Sequence, residues 1–241
     1  MLAFTPKPPL PLWGEGEGVR ERTTEVFMNL KGWLAEDPFR APRALFMIAS
    51  WLILISVLFP YWSLTLMAPQ YPGGLRIAVY VTHLAGDVTE VDNLNHYVGM
   101  KKLNQAAQVE KFLAPFAIGA AALLAQTLAF LRWRWAAVLA LPAMLFPVIF
   151  LGDMYFWLYQ YGHDLDPNAP LRIPPFTPPL VGVGTVGQFK TIAELEIGFW
   201  IAVAASLFTG FALHYRRVIR QALERNAPIR IGPITLEASP R

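Results

Sequence analysis

A long stretch without charged residues restricts the possible folds of this chain more than any other feature. Residues 44–67, ALFMIASWLILISVLFPYWSLTLM, contain no Asp, Glu, Lys or Arg. A helix of about 20 apolar residues spans the hydrocarbon core of a bilayer. Further helices with apolar sequence are predicted at residues 112–131, 135–159 and 192–220. The sequence therefore predicts an all-α membrane protein with four transmembrane helices.

Composition agrees with a membrane protein and excludes several classes of site. Hydrophobic residues make up 55% of the chain and charged residues 15%, whereas about a quarter of an average soluble domain is charged. The basic residues form no patch with interleaved aromatic residues, so no nucleic-acid partner is expected. The chain has no cysteine, which excludes disulfides, thiolate metal sites and iron–sulfur ligation. Any metal must bind to His, Met, carboxylate or backbone oxygen.

Basic residues beside the apolar stretches indicate the orientation. They precede the first helix, occupy the turn between the second and third, and follow the apolar part of the fourth, residues 197–213: Lys31, Arg40, Arg43, Arg132, Arg134, Arg216, Arg217, Arg220 and Arg225. With four spans they all fall on one side, which the positive-inside rule assigns to the cytoplasm. We therefore expect a multi-pass protein of the bacterial inner membrane with cytoplasmic termini and a surrounding lipid bilayer. Residues 68–111 and 160–191 are then the outward loops.

The two ends of the chain differ from the predicted membrane domain. Residues 1–27 are rich in Pro, Gly and charge and lack the apolar segment of a secretory signal, so we expect a disordered or untranslated extension. The four-helix membrane domain then covers residues 28–223, and residues 224–241 form a cytoplasmic tail.

The two outward loops are expected to form a small cap. Residues 75–84, LRIAVYVTHL, alternate with period two and predict one strand of a short β-hairpin. Asn93 can begin a short helix that places His96 and Met100 on one face. The second loop is dense in proline, which favours extended backbone.

Histidine and methionine residues in these loops form the candidate metal site. His83, His96 and His163 fall on the outward side, together with Met100. Imidazole and thioether ligands suit copper, and no thiolate is present to favour structural zinc. The sequence therefore predicts a copper ion with these four residues as ligands. Ordinary hydrogen-bonding loop histidines are the open alternative.

Carboxylates near the outward end of the third helix are secondary metal candidates. Asp164 and Asp166 follow His163 and can supply oxygen ligands to zinc or manganese, but they also fit an Asx-type turn before Pro167. Asp153 lies inside an apolar stretch, where an acid indicates function by default, although its place near the helix end also fits a solvated or capping role. No catalytic constellation can be placed on defined elements, so the sequence favours a protein that is not an enzyme.

Three blocks of sequence resemble those of a known family. The blocks are APQYPGGL, GDVTEVDNLNHYVGM and YGHDLDPNAPLRIPPFTPPLVG. They resemble the signature blocks of an uncharacterised family of small bacterial membrane proteins, which accompany copper-protein and nitrous-oxide-reductase maturation components or respiratory cytochromes. The resemblance covers roughly residues 60–187. It implies a periplasmic copper-handling or assembly role, carried mainly by His96, Met100 and His163.

Two functions of different classes follow. The leading hypothesis is a cap that binds copper and passes it to a periplasmic or membrane partner, such as a copper enzyme, a cytochrome or a maturation factor. The alternative is a non-catalytic structural or assembly subunit of a respiratory or maturation complex, whose Gly- and Ala-rich helices dock onto other helices without metal. Transport is the weakest hypothesis, because the sequence shows no inverted repeat and no pair of broken helices.

Overall fold

The computed structural model describes residues 25–26, 28–29, 32–34, 36–131, 134–186, 189–225, 227–231 and 234–236. Two units are distinguished, one made of Pro42–His214 and the other of Met1–Ala41 with Tyr215–Arg241. The predicted extension at residues 1–27 lies almost entirely outside the described residues.

The described chain alternates helices with short strands. The main helices are α1 (Arg40–Ser56), α2 (Val88–Val98), α3 (Gln108–Phe130), α4 (Leu141–His163) and α5 (Ile197–Glu224). The strands are β1 (Trp62–Ala68), β2 (Tyr71–Val79), β3 (Leu84–Gly86), β4 (Gly182–Val186), β5 (Phe189–Leu195), β6 (Ile229–Ile231) and β7 (Ile234–Leu236). Short 3₁₀ helices, Leu103–Gln105 and Arg134–Ala140, precede α3 and α4.

The unit Pro42–His214 contains a five-stranded antiparallel sheet, so the prediction of an all-α protein is wrong. Its strands lie in the order β3-β2-β1-β5-β4. Among the described residues, three helices are long and apolar enough to cross a membrane, Gln108–Phe130, Ala137–His163 and Ile197–Glu224, where the sequence predicted four. These helices identify a membrane protein that contacts lipid, with a substantial β component beside them.

The first predicted span, residues 44–67, is divided between a helix and a strand. α1 ends at Ser56 and β1 begins at Trp62. Pro60 lies between them and has no N–H to continue a helix. The following residues, WSLTL, alternate apolar side chains with Ser and Thr, which is the period of a strand. Hydropathy alone does not separate such a strand from the end of an apolar helix.

The fourth predicted span, residues 192–220, also begins with a strand. β5 ends at Leu195 and α5 begins at Ile197. Thr191 and Glu194 have the spacing of a helical capping box, but at that separation in a strand their side chains lie on opposite faces. Thr191 and Glu194 therefore form no helical capping box, because both lie in β5. The second and third predicted spans correspond to α3 and α4.

The register of the sheet places apolar side chains of three strands on one face. β1 pairs with β2 and β5 so that Leu64 lies opposite both Ile77 and Ala193. Directly opposed residues share a face of a sheet. The apolar face consists of Trp62, Leu64, Leu66, Leu75, Ile77, Val79, Ala193 and Leu195. Thr191, opposite Leu66, lies on the same face.

Small buried residues let the helices of this unit pack closely. Seven alanines of α1, α3, α4 and α5 in this unit are at most 2% exposed: Ala49, Ala122, Ala125, Ala143, Ala202, Ala205 and Ala212. Hydroxyl groups bridge the helices, since Ser50 donates to the carbonyl of Ala122 and Ser206 donates to that of Met144. Interfaces between helices in a membrane depend on small side chains and hydrogen bonds of this kind.

The other unit has its own apolar cluster. β6 and β7 form an antiparallel hairpin within residues 224–241, for which the sequence predicted only a tail. Ile229 and Ile234 of this hairpin belong to a buried cluster with Leu34 and Ile219.

Candidate functional site: an apolar cavity beneath the sheet

A cavity lies between the apolar face of the sheet and helices α2, α3 and α4. Its volume is about 550 Å³, within the range of about 300–1,000 Å³ that is usual for ligand pockets. Most of its wall is aliphatic or aromatic, and Leu171, Ile173 and Phe176 of the proline-rich segment complete it. All lining residues belong to the unit Pro42–His214.

Each wall follows from a pattern in the sequence. The sheet contributes alternate residues of its apolar face. α2 contributes residues at helical spacing, namely Val91, Leu94, Asn95 and Val98. α3 contributes Ala114, Ala117 and Ala121, while α4 contributes larger side chains such as Phe146 and Phe150. Small side chains on α3 leave space that larger ones would fill.

The cavity opens on the surface of the membrane-spanning helices. Leu113 and Ile149 line it, yet they are 51% and 58% exposed. Leu113 belongs to α3 and Ile149 to α4, and both helices are candidate spans. In a bilayer, exposed apolar side chains on such helices contact acyl chains. Leu113 and Ile149 therefore belong both to the cavity lining and to the exposed apolar surface of these two helices.

Two deeply buried polar side chains in this lining lack hydrogen-bond partners. Asn95 is 8% exposed and Thr191 is 2% exposed. Neither Asn95 Nδ2 nor Thr191 Oγ1 has a partner among the described residues, and both side chains line the cavity. A buried polar group left without a partner costs about 1–3 kcal/mol. Such groups require an explanation in an otherwise apolar wall.

A second polar group lies where α3 and α4 line the cavity. Trp157 follows Asp153 by one helical turn, and its indole N–H lies beside that carboxyl group without making a well-formed hydrogen bond. The carboxylate of Glu110 is close enough to interact with Asp153 electrostatically. Lys111 also lines the cavity. Two acids and one base leave an excess of negative formal charge in the lining.

The two long connections on the sheet side hydrogen-bond to each other. The amide N–H of Asp166 donates to the Gly99 carbonyl at 2.9 Å, and that of Leu171 donates to the Tyr97 carbonyl at 2.9 Å. Residues 97–102 and 161–171 therefore form one joined surface, which we call the cap seam. Whether the two predicted outward loops touch was left open by the sequence, and these hydrogen bonds join them.

An ion pair also crosses the cap seam. Lys101 Nζ lies 2.5 Å from Asp164 Oδ2. The hydrogen bond from Lys101, together with its positive charge, lowers the pKa of the Asp164 carboxyl below its usual value. Both side chains are substantially exposed, with 59% and 45% of their surfaces accessible, so solvent screens this attraction.

Gly162 fixes the proline-rich segment against the end of α4. The amide N–H of Phe176 donates to the Gly162 carbonyl at 3.0 Å. A Cβ atom at position 162 would lie 1.7 Å from the Phe176 carbonyl oxygen, so only glycine permits this approach. Since Phe176 lines the cavity, the contact sets the position of one wall.

The predicted histidine ligands lie on the exposed surface. His83 stacks on Tyr80 with ring centroids 4.4 Å apart, and His163 stacks on Tyr159 at 4.0 Å. His163 Nδ1 is also 2.9 Å from the Tyr159 carbonyl oxygen. His96 is exposed on α2. The imidazoles of His83 and His163 are thus engaged by their own local segments.

The described residues do not assemble the predicted ligands into a metal cluster. No group of three or more His, Asp and Glu residues in the described part of the chain is placed to hold an ion. Met100 does not share a helical face with His96, because α2 ends at Val98 and Gly99 follows in a left-handed conformation with φ of 81°. Met100 lines the cavity instead. The copper ligands stay a prediction.

The three secondary carboxylates have different surroundings. Asp153 is half-buried and lines the cavity, whereas Asp164 and Asp166 are exposed. Asp166 Oδ1 accepts a hydrogen bond from the amide of Asn168 at 2.8 Å. This is the Asx-type turn that the sequence left open as an alternative.

Sequence reasoning missed several polar residues of the lining, among them Asn95, Glu110, Lys111, Trp157 and Thr191. A signal existed for Asn95, because it occupies the buried stripe of α2 that is otherwise made of valines. A weaker signal existed for Trp157 in its helical spacing from Asp153. No local signal exists for Thr191, since its surroundings depend on the pairing of β5 with β1.

Comparisons with known proteins do not add to this geometry. No protein family model matches the chain, and no match is found among curated proteins. The resemblance of the three sequence blocks stays a prediction.

Proposed function

We propose that this membrane protein takes up an apolar molecule from the bilayer and holds it in the cavity beneath its sheet. The single observation that carries the proposal is the exposure of Leu113 and Ile149, which line the cavity and also lie on the surface of spanning helices. A ligand entering there passes from hydrocarbon to an apolar wall without crossing water. The volume of about 550 Å³ suits a chain-like molecule.

The proposed role is binding and presentation. The lining is mostly apolar, with a small number of polar groups on α2, α3, α4 and β5 that can orient a ligand. This combination is typical of small-molecule sites in proteins. We assign no reaction to it.

The proposal places the sheet on the periplasmic side of the bacterial inner membrane. Arg216, Arg217 and Arg220 follow the apolar part of α5, and the positive-inside rule assigns that end to the cytoplasm. Because the chain has no cysteine, single-cysteine variants report topology directly. Glu90→Cys in α2 is expected to react with an impermeant maleimide in intact cells, and Glu224→Cys only after lysis. The opposite pattern would reverse the assignment.

Binding of a pyrene-labelled alkane to the detergent-purified protein tests the cavity itself. Trp62 and Trp157 line the cavity, so energy transfer from tryptophan to pyrene should rise saturably with probe concentration. Ala114→Phe fills space in the lining and should abolish the saturable signal. Ala120→Phe adds the same side chain on an exposed position of the same helix and should leave the signal unchanged. Equal binding by both variants would refute the proposal.

Copper handling is a second proposed function, and one observation favours it. The cap seam joins the segment that carries His96 and Met100 to the segment that carries His163, through the hydrogen bond between Asp166 and Gly99. The two candidate ligand segments therefore lie side by side. Imidazole and thioether groups there suit copper.

Copper titration of the purified protein tests this second function. Stoichiometric binding should be lost in the double variant His96→Ala, Met100→Ala. His214→Ala, which removes the remaining histidine of the chain, is the matched control and should bind as well as the wild-type protein. Unchanged binding in the double variant would remove both residues from the ligand set.

A further inference from the structure

We infer that the ligand of the cavity is a neutral membrane lipid with carbonyl oxygens, bound through hydrogen bonds from Asn95 and Thr191. The inference rests on the proposed binding function and names the class of molecule bound. Its basis is the position of unpaired donors in the lining. Four buried side-chain nitrogen or oxygen atoms of the described residues have no partner, and three of them belong to residues of this cavity: Asn95, Trp157 and Thr191.

Asn95 and Thr191 approach the cavity from different walls. Asn95 belongs to α2, where Val91 and Val98 flank it on the buried stripe. Thr191 belongs to β5, on the apolar face of the sheet opposite Leu66. Neither position requires a polar group for packing, since neighbouring positions on the same faces are apolar. Both side chains are more than nine-tenths buried.

The unpaired atoms select a ligand with acceptor groups. Asn95 Nδ2 is a donor only, and a threonine hydroxyl can donate as well. Carbonyl oxygens, with two lone pairs and no proton, are the matching acceptors in a membrane. A pure hydrocarbon would leave every one of these donors unpaired.

The charge of the lining disfavours an anionic head group. Glu110 and Asp153 line the cavity beside a single cation, Lys111. A free fatty acid or a phosphate would bring its negative charge next to two carboxyl groups, with Lys111 as the one cation of the lining. Neutral carbonyl compounds remain, either acyl esters of glycerol or prenylated quinones. These two sources share the same acceptor chemistry.

Competition against the pyrene-labelled alkane tests the inference with matched pairs of ligands. Dioleoylglycerol is compared with its dialkyl ether, which lacks the carbonyls, and a decyl-quinone is compared with decylbenzene. We expect the carbonyl member of at least one pair to displace the probe at about tenfold lower concentration, since one hydrogen bond contributes roughly a factor of ten. The pair that shows this preference identifies the source as ester lipid or quinone.

Isosteric variants then assign the preference to the two residues. Asn95→Leu and Thr191→Val remove the donors while nearly preserving volume, and each should reduce the carbonyl preference toward unity. Because the wild-type donors have no protein partner, these variants should unfold no more easily than the wild-type protein. Asn93→Leu and Thr89→Val make the same changes at exposed positions of α2 and should keep the preference.

The outcomes separate the two levels of the proposal. Saturable probe binding without any carbonyl preference overturns this inference and leaves the binding function intact. Loss of saturable probe binding in the wild-type protein overturns the binding function. A preference that survives both Asn95→Leu and Thr191→Val overturns the assignment to these residues.

Discussion

The amide N–H of Asp166 donates to the carbonyl of Gly99 at 2.9 Å, which fastens the proline-rich segment to the end of α2. Gly99 ends that helix with φ of 81° and donates its own N–H back to the carbonyl of His96. Gly99 thus ends a helix and also accepts a backbone hydrogen bond from a segment that is distant in sequence.

Gly99→Ala should loosen the cap seam. A Cβ atom at this position would lie 2.9 Å from the backbone N and O of Asp166, and the positive φ is strained for any residue with a Cβ. We expect a loss of about 1–3 kcal/mol in the free energy of unfolding. Gly73→Ala is the control, because a Cβ there meets nothing within 4 Å. Thermal unfolding in detergent measures both, and equal midpoints would contradict the packing described.

The Lys101–Asp164 pair should make the cap seam sensitive to acid. Lys101 lowers the pKa of Asp164, so the folded state binds this proton less readily than the unfolded state does. The contribution of the pair is therefore complete above the ordinary carboxyl pKa, about 4, and is lost as pH falls through the lowered value. Asp164→Asn and Lys101→Ala should each reduce the fall of the unfolding midpoint at acid pH. If the unfolding midpoint of either variant falls with acid as steeply as that of the wild-type protein, the coupling is disproved.

The helices were largely predictable from the sequence, whereas the sheet was not. α3 and α4 follow from hydropathy and length alone, because an apolar helix satisfies its own backbone. β1 has a period-two pattern, but it follows the uncharged sequence of α1 after a short connection. The sequence therefore predicted a single long helix over both segments. Its partner β5 lies far along the chain, and no local pattern reveals such a pairing. Pro60 was the available warning.

The cavity was less predictable from the sequence than the helices or the sheet. Its walls come from the sheet, three helices and the proline-rich segment, so it exists only after the long-range pairing is formed. Chemistry-bearing residue types drew attention to His83, His96 and His163, which are exposed. Asn95 and Thr191 carry polar atoms without partners. Asparagine and threonine side chains often hydrogen-bond to nearby backbone, so these residue types did not indicate a binding site.

Cysteine labelling should distinguish the strand β1 from the end of a transmembrane helix. In a helix, Leu64 and Met67 would share a face, since they are three positions apart. In β1 they lie on opposite faces, with Leu64 lining the cavity and Met67 37% exposed. Met67→Cys should therefore react with a water-soluble maleimide, and Leu64→Cys should not. Leu207→Cys, on the spanning part of α5, is the unreactive control, and similar reactivity at both β1 positions would contradict the strand.

Glu196 should contribute to stability chiefly through a buried hydroxyl. Its Oε1 accepts hydrogen bonds from Ser63 Oγ and from Arg76 Nη2, each at 2.6 Å. The Arg76 side chain is 61% exposed, so Arg76→Ala should cost no more than about 1 kcal/mol. Ser63 is only 1% exposed, and Glu196→Ala leaves its hydroxyl without an acceptor, which adds about 1–3 kcal/mol. Glu196→Gln keeps an acceptor and should resemble Arg76→Ala. Chemical denaturation in detergent ranks the three variants, and equal losses for Glu196→Ala and Glu196→Gln would show that the charge matters more than the hydroxyl.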